Sequence, residues 1–171
     1  MTTPRTFLGK YRGTVVNNVD PMQIGRIQAI VPDVSNAVPT SWAMPCLPVS
    51  GINTGMFSVP AMGAGVWIEF EHGDPDHPIW VGGYWGSAAE VPALSHTVPP
   101  GVPGITLQTT LLNGIVISDV PGPTGGIQLM TRTGALISIS DVGIVISNGK
   151  GATISLLGPA VDINAGALTV L

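Results

Sequence analysis

The chain has 171 residues, a formal charge of −4 and only 9% charged residues, against 44% hydrophobic ones. So few cations on a negative chain argue against a phosphate-binding surface, and hence against nucleic acid as a partner. With 23 glycines and 16 prolines, long helices are disfavoured and the apolar residues are expected in many short strands, part of them buried between chains.

Residues 1–8 read as an N-terminal leader, mobile or docked on a partner. The segment MTTPRTFLGKYRG has no apolar h-region, and no later run approaches the roughly eighteen apolar residues of a membrane span, so assembly in a cytoplasm is expected. Tyr11 to Val16 is the first strand candidate and ends at the turn-forming run Asn17 to Pro21. Gly25 to Val31 alternates like a second strand before Pro32 stops it. Trp42 to Leu47 reads as a short edge strand in a loop rich in Pro and Ser. Cys46 within it, lacking any partner cysteine or general base, reads as a small buried hydrophobe.

Gly63 to Gly86 holds the strongest local signal. Val66 to Glu71 partly alternates polar and apolar residues, Ile79 to Val81 returns, and His72-Gly73-Asp74-Pro75-Asp76-His77-Pro78 lies between as a rigid acidic turn. About five strands in some 80 residues without a helix are best accommodated by a small Greek-key barrel of the OB type over residues 9–86. Tyr11, Trp67, Phe70 and Trp80 are its candidate core or trimer contacts, and Gly73, Asp74 and Pro75 its corner. Bases would need a positive groove with exposed aromatics, and Arg12 and Arg26 supply almost all the basic groups there.

Residues 87–104, rich in Pro, Ala and Ser, read as a neck. From residue 105 to 171 the chain shows imperfect repeats of about eight or nine residues, with Ile-Ser-Asp-Val twice and Gly-Ile-Val-Ile-Ser twice. Each repeat is a glycine-bounded strand with apolar residues two apart: Ile115 and Ile117, Ile127 and Leu129, Ile137 and Ile139, Ile144 and Ile146, Ile154 and Leu156. A single-chain solenoid of roughly three strands per coil would have only two or three coils and leave sticky edges. Three chains wound into a triangular β-prism, each strand pairing with a neighbouring chain, would remove the edges and fill the axis with the apolar stripe.

The segments Tyr11 to Val15, Asp20-Pro21 with Gly25-Arg26-Ile27, Trp42, Val59-Pro60, Gly65 to Phe70 and Gly73 to Pro78 together resemble the OB domain of contractile-tail spike proteins. That family includes phage baseplate assembly protein V, the central spikes of contractile phages and VgrG of type VI secretion systems. The resemblance implies an all-β homotrimer: an N-terminal OB barrel below the hub and tube-initiator proteins, then a triple-stranded β-helix needle that makes transient contact with the target envelope. It places the chain in a phage tail baseplate or an extracellular injection particle. In that family the tip is sealed by a metal on a His-x-His motif or by a PAAR-type protein. No histidine follows His96, so a separate tip protein or closure on apolar side chains is expected, with no cofactor and no metal.

Catalysis is not expected. Glu69 and Glu71, two apart on a strand, share a face and could suit glycoside hydrolysis, but no second catalytic element accompanies them. His72, Asp74, Asp76 and His77 could ligate a metal, yet the intervening prolines favour a stiff turn. Asp20-Pro21 and Arg26 read as turn and surface-pair residues. The functional expectation is a non-enzymatic structural spike. The alternative is a trimeric host-surface or carbohydrate-binding fibre module that uses the barrel loops Ser35 to Gly55.

Overall fold

A computed structural model describes residues 5–170, without the side chains of Thr169 and Val170, and divides the chain into two compact units, Met1–Glu90 and Val91–Leu171. Among the described residues no helix is long and apolar enough to cross a membrane.

The first unit contains β1 (Tyr11–Asn17), β2 (Gln28–Ile30), the one-turn helix α1 (Pro32–Ser35), β3 (Met44–Pro45), a small hairpin β4 (Ser50–Gly51) and β5 (Thr54–Gly55), β6 (Gly65–Phe70) and β7 (Pro78–Tyr84). The main sheet has the order β2-β1-β6-β7-β3, antiparallel except for the parallel pair β3 and β7. Its two edges meet: bridges Ile27 to Ala43 and Ile30 to Pro39 pair β2 with the segment whose end, β3, pairs with β7. The sheet therefore curls into a barrel and protects edge groups that an open sheet would leave unpaired.

Alternation explains the interior. In β6 the side chains of Val66, Ile68 and Phe70 point inward while Gly65, Trp67 and Glu69 are half-buried. With Val15, Ile27, Ala29, Val31, Ala43 and Trp80 they form the core. Phe7 belongs to that core too, which corrects its placement in the leader. Its ring sits 6.1 Å from Tyr11 and 6.0 Å from Phe70, and its N–H donates to the Gly73 carbonyl at 2.9 Å. Residues 1–4 of that leader lie outside the described residues.

Two further expectations are corrected. The second strand is shorter than Gly25 to Val31, because Gly25–Arg26 end a caged turn and Pro32 opens α1. Glu71 is not on the strand face of Glu69: it starts a 3-10 turn, Glu71–Gly73, while Glu69 pairs with Lys10.

The second unit starts with part of the expected neck. A 3-10 turn, Ala93–Thr97, packs on the first strands of an eight-stranded sheet: β8 (Gly104–Gln108), β9 (Gly114–Ser118), β10 (Gly126–Met130), β11 (Leu136–Ser140), β12 (Gly143–Ser147), β13 (Thr153–Leu157), β14 (Ala160–Ile163) and β15 (Leu168–Val170). Leu94 donates its N–H to Gln108 Oε1 at 2.8 Å, and Gly114 has no side chain because a Cβ there would meet Leu94 Cδ1 at 2.5 Å. The sheet is an antiparallel meander in chain order. Strand partners thus lie in the same chain, not strand by strand in a neighbouring one. Closing a hairpin loop of a few residues costs little chain entropy, which favours such local pairing.

Candidate functional site

The pairing register lays the repeats side by side. Ile105, Ile117, Ile127, Ile139, Ile144, Leu156 and Val161 stand opposite one another from β8 to β14, and Leu107, Ile115, Leu129, Ile137, Ile146, Ile154, Ile163 and Leu168 do the same from β8 to β15. Two residues apart on every strand, these positions share one face. The other face carries the intervening row Thr106, Val116, Gln128, Ser138, Val145, Ser155 and Asp162, which is mostly polar and small.

The aliphatic face is open. Ile115, Ile117, Ile127, Leu129, Ile137, Ile139, Ile146, Ile154 and Leu156 retain between 36% and 44% exposure, while Ile144 is half-buried. All ten residues named from the repeats as needle core lie on this one surface. Burying an aliphatic side chain of this size is worth about 1.5–3 kcal/mol, so the remaining 40% or so is worth about 0.6–1.2 kcal/mol at each position. An uncharged apolar surface of this extent marks an interface.

The turns are tied by their own side chains. Those after β8, β10 and β12 each close with a side chain accepting the N–H four residues on: Thr109 from Asn113, Thr131 from Ala135, Asn148 from Ala152. Asp162 accepts likewise from Gly166 after β14. In an antiparallel meander these four loops lie along the same edge. Sequence reading missed them, although the short polar side chain at each loop entrance is the signal.

Two families match the chain: residues 11–85 match the type VI secretion system/phage-baseplate injector OB domain, and residues 104–169 match the phage baseplate V C-terminal trimerisation domain. The chain belongs to the phage baseplate V family. It is a baseplate structural protein whose second unit carries the trimerisation domain, and the open aliphatic face lies on that domain. No curated protein matches it.

The remaining residues singled out in the sequence fall in the OB unit. Phe70 and Trp80 are buried in the barrel, and Trp80 donates its indole N–H to the Gly25 carbonyl at 3.0 Å. Tyr11 packs against the core from a half-buried position. Trp67 lies outside the core, its ring 5.0 Å from Tyr84, with the Arg12 guanidinium 5.6 Å from one ring and 5.3 Å from the other. Gly73 is buried with φ +76°, and a side chain there would collide with Thr6. It is the point where the leader crosses the turn. Asp74 accepts the Asp76 N–H at 3.0 Å and contacts His77 Nδ1 at 3.1 Å, and these contacts hold its carboxyl below the usual carboxylate range. Pro75 is half-buried in the same turn.

Two placements differ from the sequence reading. Cys46 is exposed, because it sits on the edge strand segment with its side chain turned away from the core. Asp20 and Arg26 are not a surface pair. Asp20 is buried and accepts five hydrogen bonds, from Arg26 Nε at 3.0 Å and Nη2 at 2.6 Å and from the backbone of Met22, Ile24 and Arg26. The Arg26 guanidinium first, and then those backbone donors, hold the Asp20 carboxyl far below the usual range against the opposing effect of burial. Arg26 also stacks over Trp42 at 5.4 Å. Asp-Pro followed by Gly-Arg five residues later marks a turn, but only the fold shows that the turn encloses its own ion pair.

Proposed function

We propose that this chain is the homotrimeric central spike of a contractile injection machine, with the OB barrel as collar and the second unit as needle. The observation that supports this reading is the pair of aliphatic rows left open on a family trimerisation domain. Three copies turn these faces toward a common axis, giving a dry triangular prism with one intrachain sheet as each wall. Eight strands stacked at about 4.8 Å make a needle about 38 Å long. Ile115, Ile117, Ile127, Leu129, Ile137, Ile139, Ile144, Ile146, Ile154 and Leu156 fill its axis, and residues 87–104 form the neck. Sheath contraction supplies the force. The needle transmits it along the ladder direction to the target envelope, with no catalytic group, metal or cofactor in the mechanism.

On this reading the barrel attaches below hub and tube-initiator proteins, and a PAAR-like protein covers the apolar tip. Immunogold electron microscopy with antibodies against the second unit tests the assignment on the particle that carries it. Label at the distal end of the tube supports a spike, and label on lateral fibres or sheath refutes it. Particles that keep full killing or infectivity with a monomeric variant of this chain would refute the piercing role.

A further inference from the structure

The stretch between Asp33 and Glu69 holds no charged residue and no histidine. Its centre is the β4–β5 hairpin, whose tip residue Ile52 is 96% exposed, with Val49, Met56 and Phe57 exposed around it. At the far end of the same surface lies a groove of about 630 Å³ with Met62 and Trp85, 59% and 62% exposed, on its walls, and Glu90 as its single ionisable carboxylate. A second hollow, of about 320 Å³, joins the two: it shares Pro60 and Gly83 with the groove and Met56 with the hairpin. An apolar knob and a groove that is apolar apart from Glu90 thus lie along one belt of the barrel unit.

We propose that the belt is a second interchain contact, in which the hairpin of one copy seats Ile52 in the Met62–Trp85 groove of the next. The inference rests on trimerisation of the second unit. That unit begins at Val91, directly after the barrel unit, so the other two barrels are tethered close by at an effective concentration in the millimolar range, ahead of any free partner. Knob and groove are different surfaces, so the contact is heterologous, and a ring of three closes it. The belt carries one carboxylate, Glu90, which accepts from the Gly86 N–H and the Ser87 hydroxyl within its own chain, so the belt suits a largely apolar surface, and the neighbouring barrel offers that same surface. Each copy is then both donor and acceptor.

Cys46, exposed and lining the middle hollow, is a natural reporter. The full chain is first weighed by native mass spectrometry, and maleimide labelling of Cys46 in that sample is expected to be several-fold slower than in unfolded chain. A variant with Cys46→Ser, Ile52→Cys and Met62→Cys is then oxidised. It is expected to give covalent trimers on non-reducing gels, while either cysteine alone gives none. Free chains after oxidation, in a sample of trimeric mass, overturn the contact. Fast labelling of Cys46 in the same sample then identifies the belt as open to an apolar baseplate protein instead. A monomeric mass overturns the trimer and this contact together.

Discussion

Replacing Ile139 by Asp tests whether the open face is the trimer interface. Ile139 lies between Ile127 and Ile144 in one row and keeps 44% of its surface exposed. The nine exposed core positions together supply about 5–11 kcal/mol of burial per chain, against an association cost of about 4–15 kcal/mol, and neighbouring chains share that cost around a closed ring. An aspartate at this position removes about 1 kcal/mol of that burial. It also brings three carboxylates into a dry axis, each costing several kcal/mol, for a total on the order of 10 kcal/mol, or roughly seven decades in the association constant. Sedimentation equilibrium at micromolar concentration is expected to change from trimer to monomer. Ser155→Lys on the opposite face, beside Asp162 in the register, is the control and is expected to remain trimeric. A stable Ile139→Asp trimer would refute the assignment of the face.

Ile68→Ala, at a position with no exposure, is expected to cost about 2–5 kcal/mol in denaturant unfolding of the barrel. Trp80→Phe leaves the buried Gly25 carbonyl without its indole donor and is expected to cost about 1–3 kcal/mol in the same assay. The depressed carboxyl of Asp20 stabilises the fold above the ordinary carboxylate range and loses that contribution as pH falls toward its folded value. Asp20→Asn is therefore expected to lower the melting temperature at pH 7 and to flatten its decline below pH 4. An unchanged acid profile would show that the cage around Asp20 does not couple to folding.

Much of the architecture is visible in local pattern. Val66 to Phe70 alternates because one face of a strand meets a core, and the isoleucines two apart in Gly-Ile-Val-Ile-Ser share a face for the same steric reason. The order of the short motifs from Tyr11 to Pro78 carries the resemblance to the OB domain of the spike family. Those are periodic or sequential properties, and a chain carries them without knowing its partners in space.

Other features depend on which segments meet. Phe7 looks like part of a leader until the turn at Gly73 accepts its backbone and Tyr11 and Phe70 receive its ring. Asp20 and Arg26 look like surface residues until the loop folds back and shields them. Cys46 looks like a buried hydrophobe until the edge segment turns it outward. In the second unit the sequence by itself determined that each strand has an apolar side, because alternation is local. Only the tertiary structure decided that every such side lies on one face and in register, because register is fixed by the ladder between strands and by the length and closure of each hairpin loop.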